Sequence, residues 1–138
     1  MNDSILKNLT EDYLSHVQEL ISAAPPGAGL LGFGSSPKTD ACHQQYYDAM
    51  EKAVSDLVSS SPGQPEARDA VEFLLTAYDR YEAPGTARLM LIPIQRLSIP
   101  LIPFLSAGDR AALCKAYEKS VPRRQRLPVQ KQVLKALS

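Results

Sequence analysis

Apolar residues recur at helical spacing along the first part of the chain. At 100° per residue, six of them fall on one narrow face, and charged and polar side chains occupy the opposite side. The members of this face are Leu6, Leu9, Tyr13, Val17, Leu20 and Ala24. Asp3 or Ser4 can cap the start of this helix, and the pair Pro25-Pro26 ends it.

A second periodic segment runs from about Asp40 to Ser59, with Thr39 placed to cap it. Its apolar side chains repeat in a heptad-like pattern, which predicts one buried seam. Charged side chains at four-residue spacing take the other face, as on a solvated helix surface. The predicted seam consists of His43, Tyr47, Met50, Val54 and Leu57.

A third helix is predicted from near Pro65 to just before the breaker Ala83-Pro84-Gly85. Three amphipathic helices separated by short breakers favour a helical bundle. The predicted inner face of the third helix consists of Ala67, Val71, Leu74, Tyr78 and Tyr81.

Residues 89–105 contain eleven large apolar side chains and three prolines. Because each proline lacks a backbone donor and disfavours helix before it, we expect a short helix from Thr86 to about Ile92, followed by one or two broken turns. Exposing so many apolar side chains would promote aggregation. The segment is therefore predicted to form the buried spine of the fold, with a docking strip as the alternative.

Two more helices are predicted towards the C-terminus. Ser106 and Asp109 have the spacing of a capping box, which starts a helix that extends to about Ser120. Its inward residues would be Leu113, Ala116 and Tyr117. After a basic connector at 122–127, a short helix begins at Pro128, with Val129, Val133 and Leu137 on its apolar face.

These segments predict one all-α domain over residues 1–138, a compact array of five or six helices with the proline-broken segment 89–105 in its core. Residues 25–38 hold four glycines and three prolines, which predicts a loop that is easily cleaved by proteases. We find no segment with the alternating pattern of a strand.

The charges of this neutral chain are distributed unevenly. Residues 1–60 carry three basic and eight acidic side chains, whereas residues 110–138 carry eight basic and one acidic.

Two distant cysteines, Cys42 and Cys114, are predicted to be free thiols, and no signal peptide or convincing membrane span is recognisable. These features favour a cytoplasmic location and no membrane association.

No motif gives clear grounds for a cofactor, a metal ion or catalysis. Gly27-Ala28-Gly29-Leu30-Leu31-Gly32 spells G-x-G-x-x-G, but a helix precedes it instead of the strand that dinucleotide binding requires. The histidines His16 and His43 and the two cysteines lack zinc-site spacing. A nucleophilic pair of Cys114 with either histidine would depend on the tertiary structure.

The C-terminal end, residues 121–138 with the preceding helix, provides the strongest functional signal. Its cations can engage an acidic protein surface, including that of a second copy of the chain, or the phosphates of nucleic acid. We expect a non-catalytic interaction or scaffold module that binds an acidic partner. An accessory nucleic-acid-binding protein is the alternative, and a small-molecule enzyme with a Cys/His site is third. The candidate residues are Lys115, Lys119, Arg123, Arg124, Arg126, Lys131 and Lys135.

Overall fold

The computed structural model describes residues 2–22, 37–83, 85–121 and 123–138, and every regular element within these ranges is helical. This confirms the predicted all-α fold with its bent apolar segment. Two 3-10 segments, Pro93–Phe104 and Arg123–Gln125, accompany the α-helices. The six described α-helices are α1 (Asn2–Ser22), α2 (Pro37–Ser59), α3 (Gln64–Arg80), α4 (Gly85–Leu89), α5 (Ala107–Ser120) and α6 (Pro128–Leu137).

The helices pack as three pairs. The central pair consists of α3 and the 3-10 segment Pro93–Phe104, which we call the apolar segment. Helices α1 and α2 pack against each other and against this central pair, and so do α5 and α6. The main contacts of each outer pair with the rest of the described fold are to the central pair.

Helix α2 differs from its prediction in both start and orientation. It begins at Pro37, a favourable first helical residue, so the predicted cap Thr39 lies inside the helix and is buried. At the N-terminal end, Cys42 and Tyr46 are buried, and His43 and Tyr47 are only half-buried. The predicted seam is therefore wrong by one residue in this half and correct from Met50 onwards.

The loop predicted at 25–38 falls largely outside the described residues, together with the Gly27–Gly32 motif, Ala24, and the side chains of Asp3 and Ser4. Its last two residues, 37 and 38, belong to α2.

Helix α3 is buried on more sides than its predicted inner face. Phe73 and Leu75 are buried along with the predicted Val71 and Leu74, because α3 contacts α1, α5 and the apolar segment. Tyr78 and Tyr81, which were also predicted to point inward, are half-buried at its C-terminal end.

The apolar segment forms the predicted spine but is more regular than expected. Helix α4 ends at Leu89, and hydrogen bonds of the i→i+3 type continue from Ala87 through Gln95. A 12-residue 3-10 helix follows, with Pro100 and Pro103 inside it. In an α-helix, a proline ring clashes with the carbonyl of the residue four positions earlier. Because this clash disfavours α-helical geometry at Pro100 and Pro103, the segment adopts the more tightly wound 3-10 helix.

By length and composition, Ala87–Phe104 could also cross a membrane. In this fold the part from Pro93 to Phe104 contacts α2, α3 and α6, and 44% of the whole stretch is buried. Two polar side chains, Gln95 and Ser98, are buried in this stretch. The Ser98 hydroxyl donates to the backbone carbonyl of Gln95 at 2.7 Å.

Helix α5 begins as predicted but buries little of its surface. Ser106 caps it, and its hydroxyl accepts a hydrogen bond from the backbone amide of Asp109 at 3.1 Å. Tyr117 is buried, but Leu113 is half-buried, and Ala116 is exposed, contrary to its predicted inward position. Tyr117 is therefore the one fully buried side chain of α5.

Helix α6 matches its prediction closely. It begins at Pro128, and Val129, Val133 and Leu137 are buried with Leu134. The amide of Leu127, the residue that precedes the helix, donates to the Gln130 side chain at 2.8 Å. Both cysteines are free thiols, as predicted.

Candidate functional site

The seven candidate cations lie on the outer pair α5–α6 and on the connector between its helices. Six are exposed, and Arg126 is half-buried. Since α5 and α6 pack against each other, these cations belong to one helix pair, and we call the surface of this pair that carries them the basic face. Its members are Lys115 and Lys119 on α5, Arg123, Arg124 and Arg126 in the connector, and Lys131 and Lys135 on α6.

None of these cations forms an ion pair with another residue that the structure describes. The described ion pairs lie elsewhere and join Lys52 to Asp56, Arg68 to Asp69 and Arg80 to Glu72. The basic face therefore carries an excess of positive charge with no ion pair among the described residues.

Among the described residues, Arg126 makes a hydrogen bond that none of the other six cations has. Its Nε donates to the backbone carbonyl of Val121 at 3.1 Å and thereby closes the connector between α5 and α6. Arg123 and Arg124 are exposed in the short 3-10 turn just before it. Variants that probe the charge of this surface should therefore leave Arg126 in place.

Tyr117, the aromatic residue within the cationic sequence, is not available to stack on a nucleic-acid base. Its ring is buried, and its hydroxyl donates to the Gln95 side chain in the centre of the fold. Burial raises the pKa of this phenol above its ordinary value. The base-stacking platform that many single-strand binders use is thus absent from this position.

The acidic charge of the chain is concentrated on the other outer pair. Helices α1 and α2 together carry eight acidic and three basic side chains. From α5 to the C-terminus the chain carries eight basic and two acidic side chains. The acidic charge is thus concentrated on α1–α2 and the basic charge on α5–α6, and each of these pairs packs against the central pair.

One cysteine–histidine contact forms between α1 and α2. The Sγ atom of Cys42 lies 3.5 Å from Nδ1 of His16. His43 is the next residue of α2, and its Nδ1 atom lies 2.6 Å from the hydroxyl of Tyr13. Cys114 is remote from them, and its thiol contacts Glu118 on its own helix at 3.7 Å. The pair considered from the sequence, Cys114 with a histidine, does not form.

The surroundings of Cys42 do not resemble those of a nucleophile. Burial raises the pKa of its thiol, so the thiol stays protonated near neutral pH, whereas a reactive cysteine needs a stabilised thiolate. Burial also lowers the pKa of His43, and the nearby charge of Asp40 opposes this shift. Within the described ranges, no group of three or more potential ligands could hold a metal ion.

The polar groups between α1 and α2 form a network that orders this interface. The rings of Tyr13 and Tyr46 stack with centroids 4.1 Å apart. The hydroxyl of Thr10 donates to the Leu6 carbonyl at 2.8 Å and lies 2.8 Å from the Tyr46 hydroxyl. Since Thr10 has one proton and gives it to the carbonyl, Tyr46 donates to Thr10. Burial raises the pKa of the Tyr46 phenol.

A groove that was not predicted from the sequence follows the junction of α1 and α2. One part has a volume of about 470 Å³ and lies between Ile5 and Leu9 of α1 and Ala49, Ala53 and Leu57 of α2. A second part of about 190 Å³ shares Leu9 and Ala49 and reaches His16 and Cys42. Asp12, Lys52 and Asp56 are the charged residues in its lining.

Three exposed apolar side chains were also missed. Leu89, in the segment that was predicted to be buried, is 57% exposed. Ile5, at the groove, is 52% exposed, and Leu127, in the basic connector, is 42% exposed. The sequence did contain a signal for Leu127, because it is a large apolar residue between Arg126 and the first residue of α6, off the Val129–Leu137 face.

No protein-family model, curated protein or solved structure matches the chain.

Proposed function

We propose that the chain is a non-catalytic helical interaction module whose basic face binds an acidic protein surface. The supporting observation is the set of exposed cations on α5–α6 that have no acidic partner among the described residues, while the acidic charge of the chain lies on the other outer pair. Such a surface steers a partner of opposite charge and fixes its orientation.

The position of Tyr117 supports a protein partner over a single-stranded nucleic acid. Non-specific single-strand binders combine a cationic groove with aromatic rings on which bases stack. Here the one ring in the cationic sequence is buried against Gln95 and leaves only charge at the surface. Nucleic-acid binding remains the alternative function, and it would have to rest on phosphate contacts alone.

Catalysis by a cysteine–histidine pair has less support. The contact between Cys42 and His16 is the feature that favours it, but burial keeps the thiol in its poorly nucleophilic form. Among the described residues, no hydrogen bond from a third group orients His16, as the orienting member of a catalytic triad would. We therefore assign this cluster a structural role.

A direct comparison of two polyanions tests the proposal. The full chain is titrated with poly-glutamate and with a duplex DNA at physiological salt, and binding is followed by fluorescence anisotropy. We expect poly-glutamate to bind and DNA to bind only weakly, with a log–log salt slope of about −4 to −5 if five cations contact phosphates.

The matched variant reverses three exposed cations: Arg123→Glu, Arg124→Glu and Lys131→Glu. It should abolish poly-glutamate binding while leaving the circular dichroism of the helices unchanged, because none of the three side chains is buried. Sub-micromolar DNA or RNA binding at physiological salt that this variant loses would instead establish the nucleic-acid function. Poly-glutamate binding that survives in the variant would contradict the role of the basic face.

A further inference from the structure

We infer that the acidic surface is that of a second copy of this chain, with the basic face of one molecule docked on the α1–α2 groove of the next. This inference rests on the proposed function and names the partner of the same basic face. In this contact Leu127 enters the groove, and the surrounding cations face the acidic charges of α1 and α2.

Apolar complementarity is the first observation that supports this contact. Among the described residues, three large apolar side chains are exposed: Ile5, Leu89 and Leu127. Ile5 lines the groove, whose other walls are mostly aliphatic, and Leu127 lies within the basic face. The chain thus exposes both an apolar groove and an apolar side chain that can fill it, which is the arrangement that generates contacts between copies.

Charge complementarity is the second observation. The groove runs along the acidic pair α1–α2, where Asp12 and Asp56 belong to its lining. Lys52, which also lines the groove, pairs with Asp56 at 3.1 Å, so Asp12 is the carboxylate of the lining without an ion pair among the described residues. The cations around Leu127 have no such partner in the described fold. Docking would therefore join two surfaces of opposite charge around an apolar centre, as in many specific interfaces.

The location of the two surfaces determines the kind of assembly. The groove lies between α1 and α2, whereas Leu127 lies in the connector between α5 and α6, so the two docking surfaces belong to different helix pairs. A contact between two different surfaces is heterologous, and its repetition produces chains or closed rings. We therefore expect assemblies larger than dimers that grow with protein concentration and dissolve in salt.

Sedimentation velocity of the full chain from about 10 to 300 µM tests this inference. We expect the weight-average sedimentation coefficient to rise with concentration at about 0.05 M salt and to fall at about 0.5 M, where the charges are screened. A coefficient that stays monomeric under all these conditions would overturn the inference.

Leu127→Ser tests the apolar contact without endangering the fold. Leu127 is the N-cap of α6 with extended backbone angles, a position where serine is favoured, so α6 should be retained. Losing the burial of a leucine side chain should weaken association by about tenfold or more. Unchanged association in this variant would contradict the docking of Leu127.

Ala49→Arg tests the groove, because it places a cation inside the groove opposite the incoming cations. The matched control is Ala41→Arg, an exposed position on the same helix outside the groove lining. We expect the first variant to lose association by about tenfold or more and the control to keep it. Equal effects of the two substitutions would show that added charge, and not the groove, is responsible.

Mixing the two defective variants gives the most specific result. Leu127→Ser retains an intact groove, and Ala49→Arg retains an intact basic face, so together they should form a one-to-one dimer that cannot extend. Failure to restore a dimer would overturn the head-to-tail contact. If the wild type is monomeric and yet binds poly-glutamate through the basic face, only this inference fails, and the proposed function stands.

Discussion

The two outer pairs of this fold are attached to the centre in different ways. Between α1 and α2, a buried network links Thr10 to Tyr46 and Tyr13 to His43, and the two tyrosine rings stack. Helix α5 buries only Tyr117, and a single hydrogen bond joins that residue to Gln95 of the apolar segment. The acidic pair is ordered by many directional contacts, whereas the basic pair depends on a few apolar anchors.

This difference has a functional consequence. A helix that buries one aromatic residue leaves most of its circumference exposed, and on α5 this surface carries the lysines of the basic face. The network between α1 and α2 fixes the separation of these helices and hence the width of the groove between them. The pair α5–α6 therefore displays exposed charge on helices that bury little of their surface, whereas the pair α1–α2 maintains a groove of defined width.

The largest expected effect comes from removing the aromatic anchor of the basic pair. Tyr117→Ala should lower the free energy of unfolding by about 3–5 kcal/mol, since it empties a buried aromatic site and leaves Gln95 without its donor. Equilibrium unfolding in urea measures this loss. Lys115→Ala, on an exposed position of the same helix, should change stability by less than about 0.5 kcal/mol. A loss below about 1 kcal/mol for Tyr117→Ala would show that α5 is held by other contacts.

The next largest effect should come from removing one hydroxyl from the network between α1 and α2. Thr10→Val keeps the shape of the side chain but removes the acceptor of the buried Tyr46 hydroxyl, which should cost about 1–3 kcal/mol. Thr76→Val is the control, because the hydroxyl of Thr76 makes the same bond to the carbonyl four residues back but no bond to another helix.

A double-mutant cycle with Tyr46→Phe then isolates the bond between the two hydroxyls. The loss in the double variant should be smaller than the sum of the single losses, because removing both partners leaves no hydroxyl unpaired. Simple additivity would contradict the coupling of Thr10 and Tyr46 across the interface.

The smallest effect concerns pH. Burial lowers the pKa of His43 in the folded state, so the unfolded chain takes up this proton first as the pH falls through about 6.5. Stability should therefore decrease from pH 7 towards pH 5, and the decrease should be shallower in His43→Gln. Asp40→Asn removes the charge that opposes the shift and should make the decrease steeper. Thermal unfolding midpoints across this range measure both variants, and a flat wild-type profile would contradict the shift.

Helix boundaries were predictable where the sequence contains a local signal. Ser106 caps α5 with its own hydroxyl, Pro128 begins α6, and the breakers after Ser59 and Arg80 fall where α2 and α3 end. Each of these signals acts through bonds or clashes within a few residues. The start of α2 was predicted too late because Pro37 follows a Gly/Pro-rich stretch, where a proline can either break a helix or be its first residue.

The orientation of α2 shows where local signals fail. The sequence offers two neighbouring apolar stripes at its start, one through Cys42 and Tyr46 and one through His43 and Tyr47. Helix α1 takes the first stripe, and Tyr47 instead lines a cavity with Leu97 and Pro100 of the apolar segment. Since α2 packs between two partners, both stripes are partly buried, and periodicity alone cannot rank them.

By itself, the sequence determined the helical class, most helix boundaries, the buried spine and the cationic C-terminal end, because these depend on periodicity, local capping and composition. Only the tertiary structure decided that Cys42 meets His16, that Tyr117 turns inward to Gln95, and that a groove forms beside Ile5. These contacts join residues at least 22 positions apart in the chain. They depend on how each helix is rotated and shifted against its neighbours. This arrangement is set by which side chains the whole fold buries, and not by residues close in the sequence.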